Sequence, residues 1–285
     1  MLRFGPAGNE KAFYDAGFKH TVEAPKYIAK LGLNAFEYSF GRGVKIKEET
    51  AKLIGAAFSE KDIKISLHAP YYINLASIEP EKQQNTINYV LQTLKAAKWF
   101  GADRIVIHPG SAGVNRNEAL ERAKKLFKKV IEAVDLSDCG DITMCLEVMG
   151  KMNQLGDLGE VNALCALDER VIPCVDFGHF NARTLGGLKT INDYEKILLE
   201  VKNSLGTERL QNMHIHFSRI QFTAGGEKMH WNYSDNQFGP DFEPLAILLN
   251  KYDMCGRVIC ESMSNMAQDA ALFKKMYFEA GGRHE

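Results

Sequence analysis

The sequence predicts an α/β fold, a single (β/α)8 barrel spanning residues 1–285. Three observations predict it. A short β-rich run, a polar loop and a helical pattern recur along the whole chain; no Pro- or Gly-rich linker or shift in composition interrupts them; and the 285 residues suit the roughly 250 that one such barrel needs. An open, doubly wound sheet is the competing arrangement. Its dinucleotide site would need a glycine-rich turn after the first strand, and "GPAGN" lacks the G-x-G-x-x-G pattern.

The strand candidates are Leu2–Pro6, Ala35–Phe40, Lys64–Leu67, Arg104–Ile107, Ile142–Leu146, Val171–Val175, Leu210–Phe217 and Arg257–Cys260. Between them, apolar residues recur at three- and four-residue spacing, as in Ile87, Val90, Leu91 and Leu94, which predicts amphipathic helices. These helices are Thr21–Leu31, Glu48–Glu60, Asn85–Phe100, Glu118–Val134, Asp157–Ala166, Asn192–Leu205, Phe242–Tyr252 and Ala267–Ala280. Gly101 closes the third of them, and Gly32 likewise sits just before a strand, as helix-to-strand turns require. The stretch Ser218–Phe238 reads as a long loop, and such loops in compact barrels are usually functional.

Composition narrows the function. Apolar residues make up 45% and charged residues 25%, ordinary for a soluble globular chain. No apolar run approaches the roughly 18 residues of a membrane span. The start, MLRFGPAGNE, lacks the basic and apolar regions of a secretory signal, so a cytoplasmic chain is expected. Six cysteines show no close pairs and read as buried free thiols rather than zinc ligands. A net charge of −1 provides no broad basic surface for phosphates, although bound metal ions can supply local positive charge. The Gly281–Glu285 end reads as a loose tail, and His20 and His284 as surface residues.

The chemistry lies at the strand ends. His68 follows "KISL", His108 follows "RIVI", Glu147 follows "ITMCL", Asp176 follows "IPCV", and Glu261 follows "RVIC", while His214 lies in "LQNMHIHF". Any one of these would ordinarily be a loop or capping residue. Six on successive strands are different, because barrel strands converge at their C-terminal ends on one mouth. Imidazole and carboxylate without thiolate suit Zn2+, Mn2+ or Fe2+, and so many acids and imidazoles together call for a cation. His179 follows Asp176 at D-x-x-H, so that one loop can offer two ligands, and His230 falls in the long loop. His216 is two residues from His214 and shares its face, so one can be a ligand and the other a supporting donor.

The segments "HAPYYINLAS", "IVIHPGS", "CLEVMG", "CVDFGHF", "MHIHF" and "VICES" resemble endonuclease IV, the apurinic/apyrimidinic-site nuclease family of the xylose-isomerase-like TIM-barrel superfamily. The resemblance runs from the second strand to the eighth. It implies a site of two to three divalent ions, zinc foremost. His68, His108 and Glu147 would hold one; Glu147 would bridge to a second completed by Asp176, His214 and Glu261; His179 and His230 would hold a third. The family places an aspartate two residues before the histidine at His230, and here that residue is Lys228. An ammonium cannot ligate while protonated and repels a divalent cation. Glu227, His216 or Asp235 could replace it, or the third ion is weak or absent and Lys228 contacts a substrate phosphate.

The function implied is hydrolysis of double-stranded DNA 5′ to an abasic lesion by a monomeric enzyme. Glu147 or Glu261 would orient the water, Tyr71 and Arg42 would probe the duplex, and Lys228 and His216 would be further substrate contacts. Two readings compete with it. A sugar isomerase or epimerase would use Glu147 and Glu261 as its acidic pair on a small sugar substrate. A non-catalytic metal protein would rest on Lys228 alone.

Overall fold

The computed structural model describes residues 1–283; the sequence expectations for His284 and the last position of the tail lie outside the described residues. Eight parallel strands form the barrel: β1 (Arg3–Pro6), β2 (Ala35–Ser39), β3 (Lys64–His68), β4 (Arg104–Ile107), β5 (Thr143–Glu147), β6 (Val171–Asp176), β7 (His214–Phe217) and β8 (Arg257–Cys260). Hydrogen-bonded neighbours run β1-β8-β7-β6-β5-β4-β3-β2. The α/β barrel read from the repeated unit is therefore the fold.

The last seam, between β1 and β2, is closed by a short set of contacts. Asn34 donates its backbone N–H to the Phe4 carbonyl at 3.1 Å. Its side-chain oxygen accepts from the Phe4 N–H at 2.9 Å. Gly5 makes this approach possible, since a Cβ there would lie 1.7 Å from the Ala35 carbonyl oxygen.

Period-two alternation divides the side chains of each strand. One set packs against the surrounding helices in the main apolar core, as do Leu67, Ile105, Leu146, Val175 and Ile215. Inside the barrel the apolar content shrinks to a separate cluster of Val106, Cys145, Ile172 and Cys174. Most of the rest of the interior is polar. At the N-terminal end Arg257 bonds the Ile65 carbonyl and the Asp103 carboxylate, and Arg104 bonds both oxygens of Asn212. The opposite, C-terminal end carries the histidines and acids.

The outer helices follow the sequence pattern. The helix Arg116–Asp135 buries Ala119, Ala123, Leu126, Phe127, Val130 and Val134, a stripe at three- and four-residue intervals, and Asn115 caps its start. The helix predicted from Asn85 begins earlier, at Pro80, where a proline lacking its N–H costs nothing. It ends at Gly101 in the left-handed conformation, φ 64°.

Four expectations change. The strand Leu210–Phe217 shortens to His214–Phe217, because Thr207–Gln211 winds into a helical turn that buries Leu210. The helix Thr21–Leu31 becomes a 3-10 turn, Thr21–Glu23, leading into Ala24–Lys30. The long loop Ser218–Phe238 contains an antiparallel hairpin, Arg219–Thr223 with Gly226–Trp231. Finally, the D-x-x-H segment is not a loop: Asp176 ends β6 and caps the short helix Phe177–Arg183, with His179 in its first turn. The cysteines are free, and all but Cys255 are buried.

Gly5→Ala is expected to open the β1–β2 seam. The overpacking should cost at least about 1–3 kcal/mol of unfolding free energy, read as a lower urea midpoint. A variant with unchanged stability would show that the seam does not depend on this close approach.

Candidate metal centre

Parallel register decides which side chains meet. His68 ends β3 beside Val106, Glu147 ends β5 beside Cys174, and Asp176 ends β6 beside His216. His108 and Glu261 lie just beyond β4 and β8. The strands converge at this end, so these groups fall together. Glu147 Oε2 lies 3.2 Å from His68 Nε2 and 2.9 Å from His108 Nε2. Its other oxygen lies 3.2 Å from His179 Nδ1 and 3.5 Å from His216 Nδ1. Glu147 is thus a buried carboxylate ringed by four imidazoles.

Register also separates His214 from His216. His214 opens β7 beside Cys174 and Arg257, while His216 stands level with Asp176 and Ile259. The place expected for His214, alongside Asp176 and Glu261, is occupied by His216. His214 lies one pleat deeper, with Nε2 3.0 Å from Glu37. The sequence offered His216 as a substrate contact, but it is fully buried and does not border the cavity, out of reach of a substrate. Glu37 itself was missed. It sits in mid-strand on β2, not at a strand end, and accepts from Ser66 Oγ at 2.8 Å.

The third set depends on a defect in the hairpin. Gln221 pairs with Met229 but Phe222 pairs with Glu227, so Lys228 is an extra residue, a β-bulge. In a regular strand, residues three apart face opposite sides. The bulge cancels that half-turn and brings Glu227 and His230 to the same face. Glu227 reaches His179 Nε2 at 3.4 Å and His230 Nε2 at 3.9 Å. Lys228 is exposed and does not border the cavity. Asp235 is elsewhere, accepting from the Asn232 N–H. Of the replacements offered by the sequence, Glu227 is the one in place.

The donor chemistry fits divalent cations. Donor atoms in each of three groups lie within 4.8 Å of one another: His68, His108 and Glu147; Glu147, Asp176, His216 and Glu261; His179, His230 and Glu261. Carbonyls can only accept, so His68 Nδ1 must donate to Ala69 O at 2.9 Å and His179 Nδ1 to Val148 O at 3.1 Å. That leaves each Nε2 facing the mouth, where an ion would displace its proton. His230 Nδ1 is likewise held by Ser218 Oγ at 2.8 Å. Such outer partners orient metal-binding imidazoles. Asp176 Oδ2 and both ring nitrogens of His216 are buried without a hydrogen-bonded partner, which a cation would satisfy.

Electrostatics before any ion binds follow from burial and these pairings. Burial raises the pKa of Glu147, but the surrounding imidazoles, His108 foremost, hold it well below the usual range. Burial opposes a proton on His68, yet Glu147 lifts its pKa to about 9. Burial opposes one on His179 too, and Asp176 and Glu147 lift it to about 10. Glu261 moves up through burial and the nearby Glu147 charge.

Above the ligands lies a cavity of about 340 Å3. Tyr71, Met149, Lys151, Gln154 and Glu227 line it together with the ligand histidines and acids. Tyr71 is 59% exposed, its ring 5.4 Å from His68 and 5.3 Å from His108. Arg42 is exposed on the neighbouring loop and outside the cavity lining. Lys151 was not foreseen, because an isolated lysine after a strand carries no pattern.

The family model of xylose isomerase-like TIM barrels matches residues 25–276. An uncharacterized protein of Methanocaldococcus jannaschii is 36% identical over 284 residues, 98% of both chains. A probable endonuclease 4 of Mycoplasma genitalium is 33% identical over 186 residues, 63% of this chain and 60% of that relative. The chain therefore spans about three fifths of that relative's length. Among solved structures, a D-tagatose 3-epimerase-like protein has a TM-score of 0.72 at 19% identity, covering 98% of this chain and 96% of its own. Endonuclease IV from Thermus thermophilus has a TM-score of 0.67 at 17% identity, covering 98% of each. Likeness at these identities speaks to the fold.

Two outcomes follow. Metal binding must displace the protons that His68 and His179 hold below about pH 9 and about pH 10. Apparent affinity should therefore climb with pH over about 6 to 8, with protons released on titration in buffers of different ionisation enthalpy. Affinity independent of pH would remove these two imidazoles from the ligand set. In addition, Glu227→Gln should weaken one ion by at least about 10-fold, whereas Lys228→Ala should leave metal content unchanged. The reverse pattern, measured by elemental analysis, would return the third set to Lys228.

Proposed function

The chain belongs to the xylose isomerase-like TIM-barrel family, and on that premise we propose that it is a metal-dependent phosphodiesterase that nicks double-stranded DNA 5′ to abasic sites. The observation that supports this best is the division of the donors into three adjoining groups joined through Glu147 and Glu261. A one-metal sugar enzyme has no need of His68, His108, His179 and His230 together. Zinc, with Mn2+ or Fe2+ as alternatives, would supply Lewis acidity toward a phosphate and a bound water of lowered pKa.

The chain's own residues do the rest. His68, His108 and Glu147 would hold one ion; Glu147, Asp176, His216 and Glu261 a second; His179, His230 and Glu227 a third. Glu261 borders the cavity and belongs to two groups, so its carboxylate is placed to orient the attacking water and take its proton. Lys151, exposed on the cavity wall, can meet a phosphate oxygen. Tyr71 presents an aromatic face at the rim, suited to stacking on a base beside the gap. An abasic sugar has no base to unstack, so drawing it into the mouth costs less than extruding a paired nucleotide. Arg42, on the neighbouring loop, would reach only a substrate that extends beyond the cavity, as a duplex does.

No helix of the described residues is long and apolar enough to cross a membrane. The proposal includes a monomer working in the cytoplasm.

A sugar epimerase is the second reading. The D-tagatose 3-epimerase-like neighbour favours it, as does a cavity of about 340 Å3, a size that suits a small molecule. One experiment separates the two. A duplex carrying a single abasic site, incubated with Zn2+ or Mn2+, should be nicked 5′ to the lesion. Glu261→Gln should slow that reaction by about 10²–10⁴-fold. An intact duplex together with interconversion of ketohexoses would overturn the nuclease in favour of the epimerase.

A further inference from the structure

Below the metal ligands lies a second buried layer that the proposed chemistry does not use. Glu37, Ser66 and His214 fill the barrel interior under His216, and all four are buried. Glu37 has three polar neighbours. Ser66 Oγ donates to Oε2 at 2.8 Å. His214 Nε2 lies 3.0 Å from the same oxygen, and His216 Nε2 lies 3.1 Å from Oε1. The two imidazole contacts are electrostatic pairings of imperfect direction.

His216 differs from the other ligand histidines. His68 and His179 turn Nδ1 toward backbone carbonyls and leave Nε2 to the mouth. His216 is inverted: Nδ1 faces Glu147 Oε1 and Glu261 Oε1, each at 3.5 Å, and Nε2 faces Glu37. With the carboxylates of the mouth on its Nδ1 side, Nε2 is the nitrogen turned to Glu37 Oε1 at 3.1 Å, and a proton there is attracted by that carboxylate. The Nδ1 lone pair is then left for a cation.

We propose that Glu37 is a positioning residue that holds His216 as its Nε2–H tautomer, so that Nδ1 ligates the ion shared by Glu147, Asp176 and Glu261. This rests on the metal-centre reading above. Glu37 cannot be a ligand of that ion itself, because the His216 ring stands between them. Ser66 and His214 fix the carboxylate from the other side, so the orientation of one ligand on β7 is set from β2 and β3. Carboxylate–histidine–metal relays of this kind fix ring orientation and raise ligand basicity. An ion seated deeper, among Cys174, His214 and His216, is the competing arrangement, since their donor atoms also lie within 4.8 Å. The direct contacts of Glu37 with both imidazoles favour the relay.

The test uses the full chain. Zinc affinity is measured by chelator competition, and histidine tautomers by 15N–1H correlation, with and without zinc. The zinc-loaded wild type should show His216 as the Nε2–H form. Glu37→Leu keeps much of the side-chain volume but offers Nε2–H no acceptor, so it should lose that tautomer and bind one ion about 10- to 100-fold more weakly. Cys174→Ser, beside His216, should leave the zinc affinity unchanged. If Glu37→Leu fails to fold, Ser66→Ala should shift both readings in the same direction by less. Unchanged tautomer and affinity in the glutamate variant would overturn the proposal, as would loss of an ion from Cys174→Ser, which would establish the deeper site. A wild type that binds no zinc would overturn the metal-centre reading itself, a result distinct from either.

Discussion

Three carboxylates, Glu37, Glu147 and Asp176, are withdrawn almost completely from water inside the barrel. Isolated buried charges of this kind cost several kcal/mol each even after relaxation, so the chain surrounds them with partners. Four imidazoles surround Glu147, two imidazoles and a hydroxyl hold Glu37, and Asp176 caps a helix through the His179 N–H. The architecture serves this requirement. Convergent parallel strands bring single residues from β3 to β8 into one small volume, and the apolar core outside the barrel provides the stability that a polar interior does not.

The fold was legible because alternating strands and amphipathic helices leave a period that survives any detail of packing. Strand ends were legible for the same reason: His68, His108, Glu147, Asp176 and Glu261 each terminate an apolar run. On β7 the rule failed in an instructive way. Leu210 and Met213 draw the expected strand backwards, but the helical turn Thr207–Gln211 claims Leu210 for the outer core, and the strand starts at His214. With two histidines on one face, only the register with the neighbouring strands shows that His216 and not His214 stands level with Asp176. Glu37 gave no signal because an acid inside "AFEYSF" looks like the polar face of an ordinary strand. Its meaning comes from β7, which is remote in sequence, and only the closed barrel brings the two together.

Two scales of precision coexist in the mouth. His68, His179, His216 and Asp176 stand on strands or a capped helix, buried and held by backbone or carboxylate partners. Glu227 and His230 stand on a hairpin, and Tyr71 on a loop. Most of the candidate metal donors stand on the rigid elements, and the groups at the rim of the cavity stand on the hairpin and loops. One barrel can therefore keep its inner electrostatics while its rim is rebuilt for a different molecule, which is why epimerase-like and endonuclease-like neighbours share this architecture.

The bulge at Lys228 bears on how such proteins are compared. One additional residue in the hairpin lets a carboxylate three positions before His230 share its face, where a regular strand would present the residue two positions before. Aligned column by column, the chain looks as though it has lost an acid and gained a positive charge, and would be classed as degenerate. In three dimensions Glu227 stands beside His179 and His230, and Lys228 points away from the cavity. Insertions that a backbone can absorb in this way allow a motif to drift out of its pattern while the site it describes persists.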